Sequence, residues 1–105
     1  MKQVIDFSNL NKADIVNYIQ GKFKIQIGYN TIPADKDASW SDCVLPNGLI
    51  INARKSWFDK HSLSIWASEC DGYIYARHDI IPMHTYCYTT EDVDNIVNRI
   101  ISYQG

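Results

Sequence analysis

Four side chains in the second half of the chain are of metal-binding type: Cys70, His78, His84 and Cys87, spaced C-x7-H-x5-H-x2-C. Thiolate and imidazole are the ligands zinc prefers, but the common structural zinc sites begin from a closely spaced cysteine pair. No C-x-x-C pair is present. His84 and Cys87, three apart on an extended segment, would also point to opposite faces of a sheet. No metal site is therefore assigned. The same groups, with His61, could pair a cysteine with a histidine for nucleophilic catalysis. Buried strand cysteines explain Cys70 and Cys87 without it, and the strand register places His78 inward, as a hydrogen-bonded core histidine. Asp35-Lys36-Asp37-Ala38-Ser39 begins like a calcium loop but has no glycine at the sixth position and no glutamate at the twelfth. Gly-rich dinucleotide loops, Walker-type phosphate loops and the G-x-S-x-G nucleophile elbow are all missing from the sequence. The chain is read as a non-enzyme, with no cofactor expected.

The elements that would position any site follow from size and pattern. With 105 residues the chain reads as a single compact domain, 1–105, because two cores of half this size could not each stand alone. Hydrophobic residues at 46% and charged residues at 21% lie near globular averages and argue against disorder. A formal net charge of −2 gives no positive field for sequence-independent nucleic-acid binding. No apolar run reaches the ~18–20 residues of a membrane span, and Asp6, Ser8 and Asn9 interrupt the amino terminus where a signal peptide would be apolar. Three cysteines, an odd number, fit reduced thiols better than a disulfide framework. The expected location is the cytoplasm.

Asn11 with Asp14 reads as a capping box, Leu10 and Ile15 as its staple, and Gly21 as a stop, giving a first helix over Lys12 to Gln20. Phe23, Ile25, Ile27 and Tyr29 then alternate with more polar residues, the period of a strand with one buried face. After a polar loop from Asn30 to Ser39, two hairpins are expected. Asn47-Gly48 joins strands near Trp40–Pro46 and Leu49–Lys55, and Asp71-Gly72 joins Ser62–Cys70 to Tyr73–Ile80. A short strand from Met83 to Tyr88 leads into a last helix. There Thr89 is the cap, Glu91 and Asp92 complement the dipole, and Val93, Ile96, Val97, Ile100 and Ile101 make one apolar stripe. The fold class is α+β: a mostly antiparallel sheet of four to six strands built from hairpins, with an N-terminal and a C-terminal helix on one face.

Tyr88-Thr89-Thr90-Glu91-Asp92-Val93-Asp94 resembles the segment that opens the last helix of class V pyridoxal-phosphate enzymes. The likeness covers under a tenth of the chain, and the large domain holding the cofactor lysine in that family has no room here. A strand followed by a capped helix accounts for it, so no activity is carried over.

Two helices can cover one face of such a sheet. If Leu63, Ile65 and Ala67 face them, with Ile74, Ala76 and Ile80, then Trp66, Tyr73, Tyr75, Arg77 and Asp79 share the outer face. Those residue types are enriched in binding hot spots, although cross-strand aromatic pairs also stabilise sheets without any partner. Trp57, with Asp59 beside it, is a second contact point. The expectation is a small inhibitor that docks onto another protein and blocks it. Toxin-immunity proteins and phage anti-defence (anti-CRISPR-like) proteins acting on a nuclease or other nucleic-acid-binding effector are of this type. Acidic groups would steer it to a basic target. One alternative is a single-stranded nucleic-acid binder stacking bases on the aromatic face, with Lys22, Lys24, Arg54 and Arg77 on phosphates. Another is a small enzyme or ligand binder with a pocket around His78, His84, Tyr86 and Cys87. A homodimer would bury the aromatic face against itself.

Overall fold

In the computed structural model, residues 7–29, 32–33, 39–56, 59, 61–69 and 76–104 are described. Phe7–Asn9 forms a single 3-10 turn before helix α1, Lys12–Phe23. Both halves of the capping box are made: Asp14 N–H donates to Asn11 Oδ1 at 2.9 Å, and Asn11 N–H to Asp14 Oδ2 at 3.2 Å. The helix runs through Gly21 and stops at Lys24, which takes the left-handed conformation (φ 58°) and donates its N–H to Gln20 O at 2.9 Å. A mid-helix glycine costs about 1 kcal/mol relative to alanine, and packing of Phe23 against the core outweighs it. The expected strand from Phe23 is thereby shortened. Its first residues belong to the helix and cap, and Ile27 N–H bonds back to Gln20 Oε1 at 3.1 Å.

What remains of it is β1, Gly28–Tyr29. With β2 (Ile32–Pro33), β3 (Ile50–Lys55), β4 (Leu63–Ser68) and β5 (Tyr86–Cys87) it forms one sheet in the order β2-β1-β3-β4-β5. β1 runs parallel to β3 and the other neighbours are antiparallel, so the sheet is mixed. Trp40–Cys43, expected as a strand, is a 3-10 turn capped through Ser39 and Asp42. Only Val44 bridges β3, opposite Ile50. The turn between them is centred one residue earlier than Asn47-Gly48. Gly48 N–H closes on Leu45 O at 2.8 Å with Gly48 at φ 86°, and Leu45 N–H reaches Leu49 O at 2.8 Å. That is the pattern of a hairpin loop with glycine at the left-handed position.

Helix α2, Thr90–Ser102, follows the sequence pattern closely. Thr89 caps it through Asp92 N–H at 3.1 Å. Val93, Val97 and Ile100 are buried, with Ile96 and Ile101 half-buried against the same core. Both helices contribute to that single core, which takes the odd-numbered residues of β3 and β4: Ile51, Ala53, Leu63, Ile65 and Ala67. The helices are tied to each other by Asp94, which accepts from Tyr18 Oη at 3.1 Å and pairs with Lys22.

The opposite face of the sheet is not left open. Asn52, Trp66 and Ser68 project there by alternation, and they are 0%, 7% and 0% exposed. The ring of Trp40 lies over Gly28, so close that a β-carbon at Gly28 would stand 2.5 Å from Trp40 Cη2. Asn52 Nδ2 donates to Ser68 Oγ at 2.9 Å beneath it. The sheet is therefore covered on both sides, by helices on one and by an irregular layer on the other.

Candidate functional site

Of the residues expected to share one outer aromatic patch, Trp66, Arg77 and Asp79 are described, and they do not share a surface. A two-residue turn at Asp71-Gly72 would set Ala76 opposite Ala67. The structure sets it opposite Ser68, one residue out of that register. A slip of one exchanges the faces. Ala76 thus falls on the Trp66 side, and Arg77, which donates its N–H to Ala67 O at 2.7 Å, is turned toward the helices. There its guanidinium grips Asp79 with two bonds (2.8 and 2.7 Å), Glu69 at 2.5 Å and the Tyr103 hydroxyl at 3.2 Å at the end of α2. The Arg77 contact holds the Asp79 carboxyl down at about 2. Arg77 and Asp79 are committed to each other and lie across the sheet from Trp66. Trp66 itself is buried rather than exposed. Tyr73 and Tyr75, the remaining aromatic members of the expected patch, and Trp57 of the second contact point lie outside the described residues, as do Cys70, Ile74 and the Asp35–Ala38 stretch.

After Arg77 the ladder ends, because Ile80 and Ile81 both donate their N–H groups to Arg77 O and the chain turns. This overturns the inward placement of His78: past the last ladder residue the strand alternation no longer applies, and His78 is exposed. The chain then passes through a second turn, closed by Thr85 Oγ1 donating to Pro82 O at 2.8 Å, with His84 at φ 67°. That backbone region is costly for any residue but glycine.

Between this returning segment and the sheet lies a cleft of about 410 Å³. Its origin is in the ladder. Ser64 of β4 stands opposite Arg54 of β3 on one side and Tyr86 of β5 on the other, and all three project from the outer face. A serine between two long side chains leaves a hollow, with Trp66 next along the same face of β4. Pro82, Met83, His84 and Thr85 close it from above, and His78 stands at its margin. The His84 and Tyr86 rings lie 6.4 Å apart, with His84 Nδ1 and the Tyr86 hydroxyl 3.2 Å from each other.

Compared with known protein families, curated proteins and solved structures, the chain matches none.

The groups weighed for catalysis separate in space. His78, His84 and Tyr86 share the cleft, while Cys87 faces the core, where burial pushes its thiol up to about 12. Burial raises the Cys43 thiol as well. Thiols so protected from ionisation are poor nucleophiles and poor metal ligands. Among the described residues, no three His, Cys, Asp or Glu side chains converge as a metal site requires. Of the cations expected on phosphates, Lys22 pairs with Asp94, and Arg77 with Asp79 and Glu69.

Sequence reasoning overlooked the β5 edge. Among the described residues the large hydrophobic side chains left exposed are Val44 (46%), Met83 (59%) and Tyr88 (43%), and the last two flank β5. Tyr88 donates its hydroxyl to Asp59 Oδ2 at 3.1 Å, a bond that raises its pKa, and Glu91 lies exposed just beyond it. Asp59 is thus an expected contact residue that does sit beside an exposed aromatic ring. Among the described residues no helix is long and apolar enough to cross a membrane.

Proposed function

We propose that the protein works by docking onto another protein and blocking it, with the β5 edge as its contact surface. The observation that carries this reading is the pairing of exposed Met83 and Tyr88 on either side of a two-residue edge strand. Methionine and tyrosine are adaptable contact residues with a large apolar area for their entropy cost, and both are held exposed next to the same edge strand. Asp59 and Glu91 around Tyr88, on a chain of net charge −2, favour a basic target surface. A nuclease or other nucleic-acid-handling effector has such a surface, so an immunity-type or anti-defence inhibitor acting in the cytoplasm is the concrete form of the proposal.

The test is affinity capture from host cells with wild-type chain and a Met83→Ala, Tyr88→Ala double variant, followed by binary titration of any captured protein. The reading expects a partner whose affinity falls at least about tenfold in the variant, which is about 1.4 kcal/mol, while the melting curve is unchanged. Equal capture by both proteins, or no partner for the wild type, would overturn it.

A further inference from the structure

We infer that the partner docks by adding an extended, basic segment of its own chain to β5 as a further strand, bonded through the main chain of Tyr86; this rests on the docking reading above. Hydrogen-bond accounting locates the free groups. In an antiparallel pair, bonded and non-bonded residue pairs alternate. Ser56 donates its N–H to Ser62 O at 3.1 Å, in the same register that sets Arg54 opposite Ser64. Ser64 and Trp66 therefore spend their main-chain groups on β3, and Leu63, Ile65 and Ala67 turn theirs the other way. Arg77 agrees, since its N–H goes to Ala67 O at 2.7 Å. Leu63 stands opposite Cys87, so Cys87 bonds to β4 and Tyr86 points its N–H and C=O away from the sheet. Among the described residues neither of those groups has a partner. An edge residue so placed is a template for an added strand.

The two edges of the sheet are not protected alike. β2 carries Pro33, which has no N–H to offer. Residues 83–88, which contain β5, include no proline and no Asp, Glu, Lys or Arg, the usual devices that blunt an edge. Exposed Met83 and Tyr88 bracket Tyr86, so an added segment finds apolar contact toward either end. Asp59, which accepts from the Tyr88 hydroxyl, and exposed Glu91 make the Tyr88 end acidic. A segment carrying Lys or Arg is favoured there and an acidic one is repelled. A second copy of this edge brings the same acids and no Lys or Arg within 83–88, so a foreign basic segment fits better than self-pairing.

The test is amide-resolved NMR of the full chain, with hydrogen exchange, titrated with the capped pentapeptide Lys-Val-Lys-Val-Lys as probe. In the free chain the Tyr86 amide should exchange quickly and the Cys87 amide slowly. The probe should bind with a dissociation constant below about 5 mM and slow exchange at Tyr86. Its fully N-methylated form, which has no main-chain donors, and the glutamate analogue Glu-Val-Glu-Val-Glu should each bind at least about tenfold more weakly. Tyr86→Pro, at the first residue of an edge strand where proline is tolerated, should lose the probe, while Tyr86→Val keeps it. No binding, equal binding of the N-methylated or the acidic peptide, or a Tyr86 amide already protected in the free chain, whether by the chain itself or by a second copy, would overturn the inference. The peptide comparisons need no variant, so they decide the matter even where Tyr86→Pro fails to fold. A captured partner that is lost with Met83 and Tyr88 but leaves exchange at Tyr86 unchanged would sink strand addition and leave the docking reading standing.

Discussion

Asn47 was read as half of a turn signal, and its larger role is to cap a helix distant in sequence. Its Nδ2 group donates to Ile100 O, Ile101 O and Tyr103 O at 2.9, 3.3 and 3.0 Å, while Oδ1 accepts Leu49 N–H at 3.1 Å. One amide thus satisfies carbonyls that the end of α2 leaves open. Asn47→Ala should cost about 1–3 kcal/mol in denaturant unfolding, because part-buried carbonyls lose their donor. Asn47→Asp should cost more at neutral pH, since it sets a carboxylate against the negative end of the helix dipole. The gap between the two variants should narrow as pH falls below about 4 and that carboxylate protonates. A constant gap would mean that the side chain acts only on its own turn. Asp79 titrates in the other sense. Arg77 depresses its carboxyl from the ordinary 3.8 to about 2, so the pair's contribution to stability is complete above the ordinary value and disappears as pH falls through about 2. Asp79→Asn should therefore melt slightly below wild type at neutral pH and coincide with it by about pH 2. The shift is small because the pair is exposed and screened.

At the scale of elements, what could be read from the chain was what depends on near neighbours. The α2 helix declares itself through Thr89, the acidic first turn and five apolar residues at helical spacing. The buried face of β4 declares itself through Leu63, Ile65 and Ala67. What could not be read depends on pairings between distant segments. Nothing local to Gly28 and Tyr29 says that they lie parallel to Asn52 and Ala53. Nothing local to Ala76 says that it meets Ser68 instead of Ala67, and that single step sent Arg77 to the helix side. The cleft was illegible for the same reason: Arg54, Ser64 and Tyr86 become neighbours only once three strands are in order. Trp40 is a further case, a ring whose seat is a missing side chain. A β-carbon at residue 28 would meet Trp40 at 2.5 and 2.7 Å and Asn52 Oδ1 at 2.9 Å. Gly28→Ala should destabilise by about 1–3 kcal/mol as an overpacking change. Trp40→Leu in the same chain should recover part of that loss, giving a coupling of at least about 0.5 kcal/mol in a double-mutant cycle. Additive losses would show that the Trp40 ring moves aside without cost.

For the molecule as a whole, the consequence is that the fold and the proposed contact surface rest on different aromatic residues, buried Trp66 and exposed Tyr88. A sheet with helices on one side and a bare aromatic face on the other would keep its fold when Trp66 was truncated. Here a second, irregular layer closes over that face, and Trp66 is 7% exposed within it. Loss of a buried tryptophan side chain costs about 3–5 kcal/mol, against a total stability of about 5–15 kcal/mol for a domain of ordinary size. Trp66→Ala should therefore lower the urea midpoint sharply, in proportion to that loss and with little change in slope. Met83→Ala and Tyr88→Ala, at 59% and 43% exposure, should each fall within about 0.5 kcal/mol of wild type. The two behaviours distinguish two architectures. If Trp66→Ala leaves the midpoint where it was, the outer layer is not packed on the sheet and an open aromatic face returns as the natural contact surface. If the midpoint falls and the edge variants hold theirs, any binding lost at Met83 and Tyr88 is a loss of contact alone. The β5 edge can then be altered freely to map the partner without disturbing the fold that presents it.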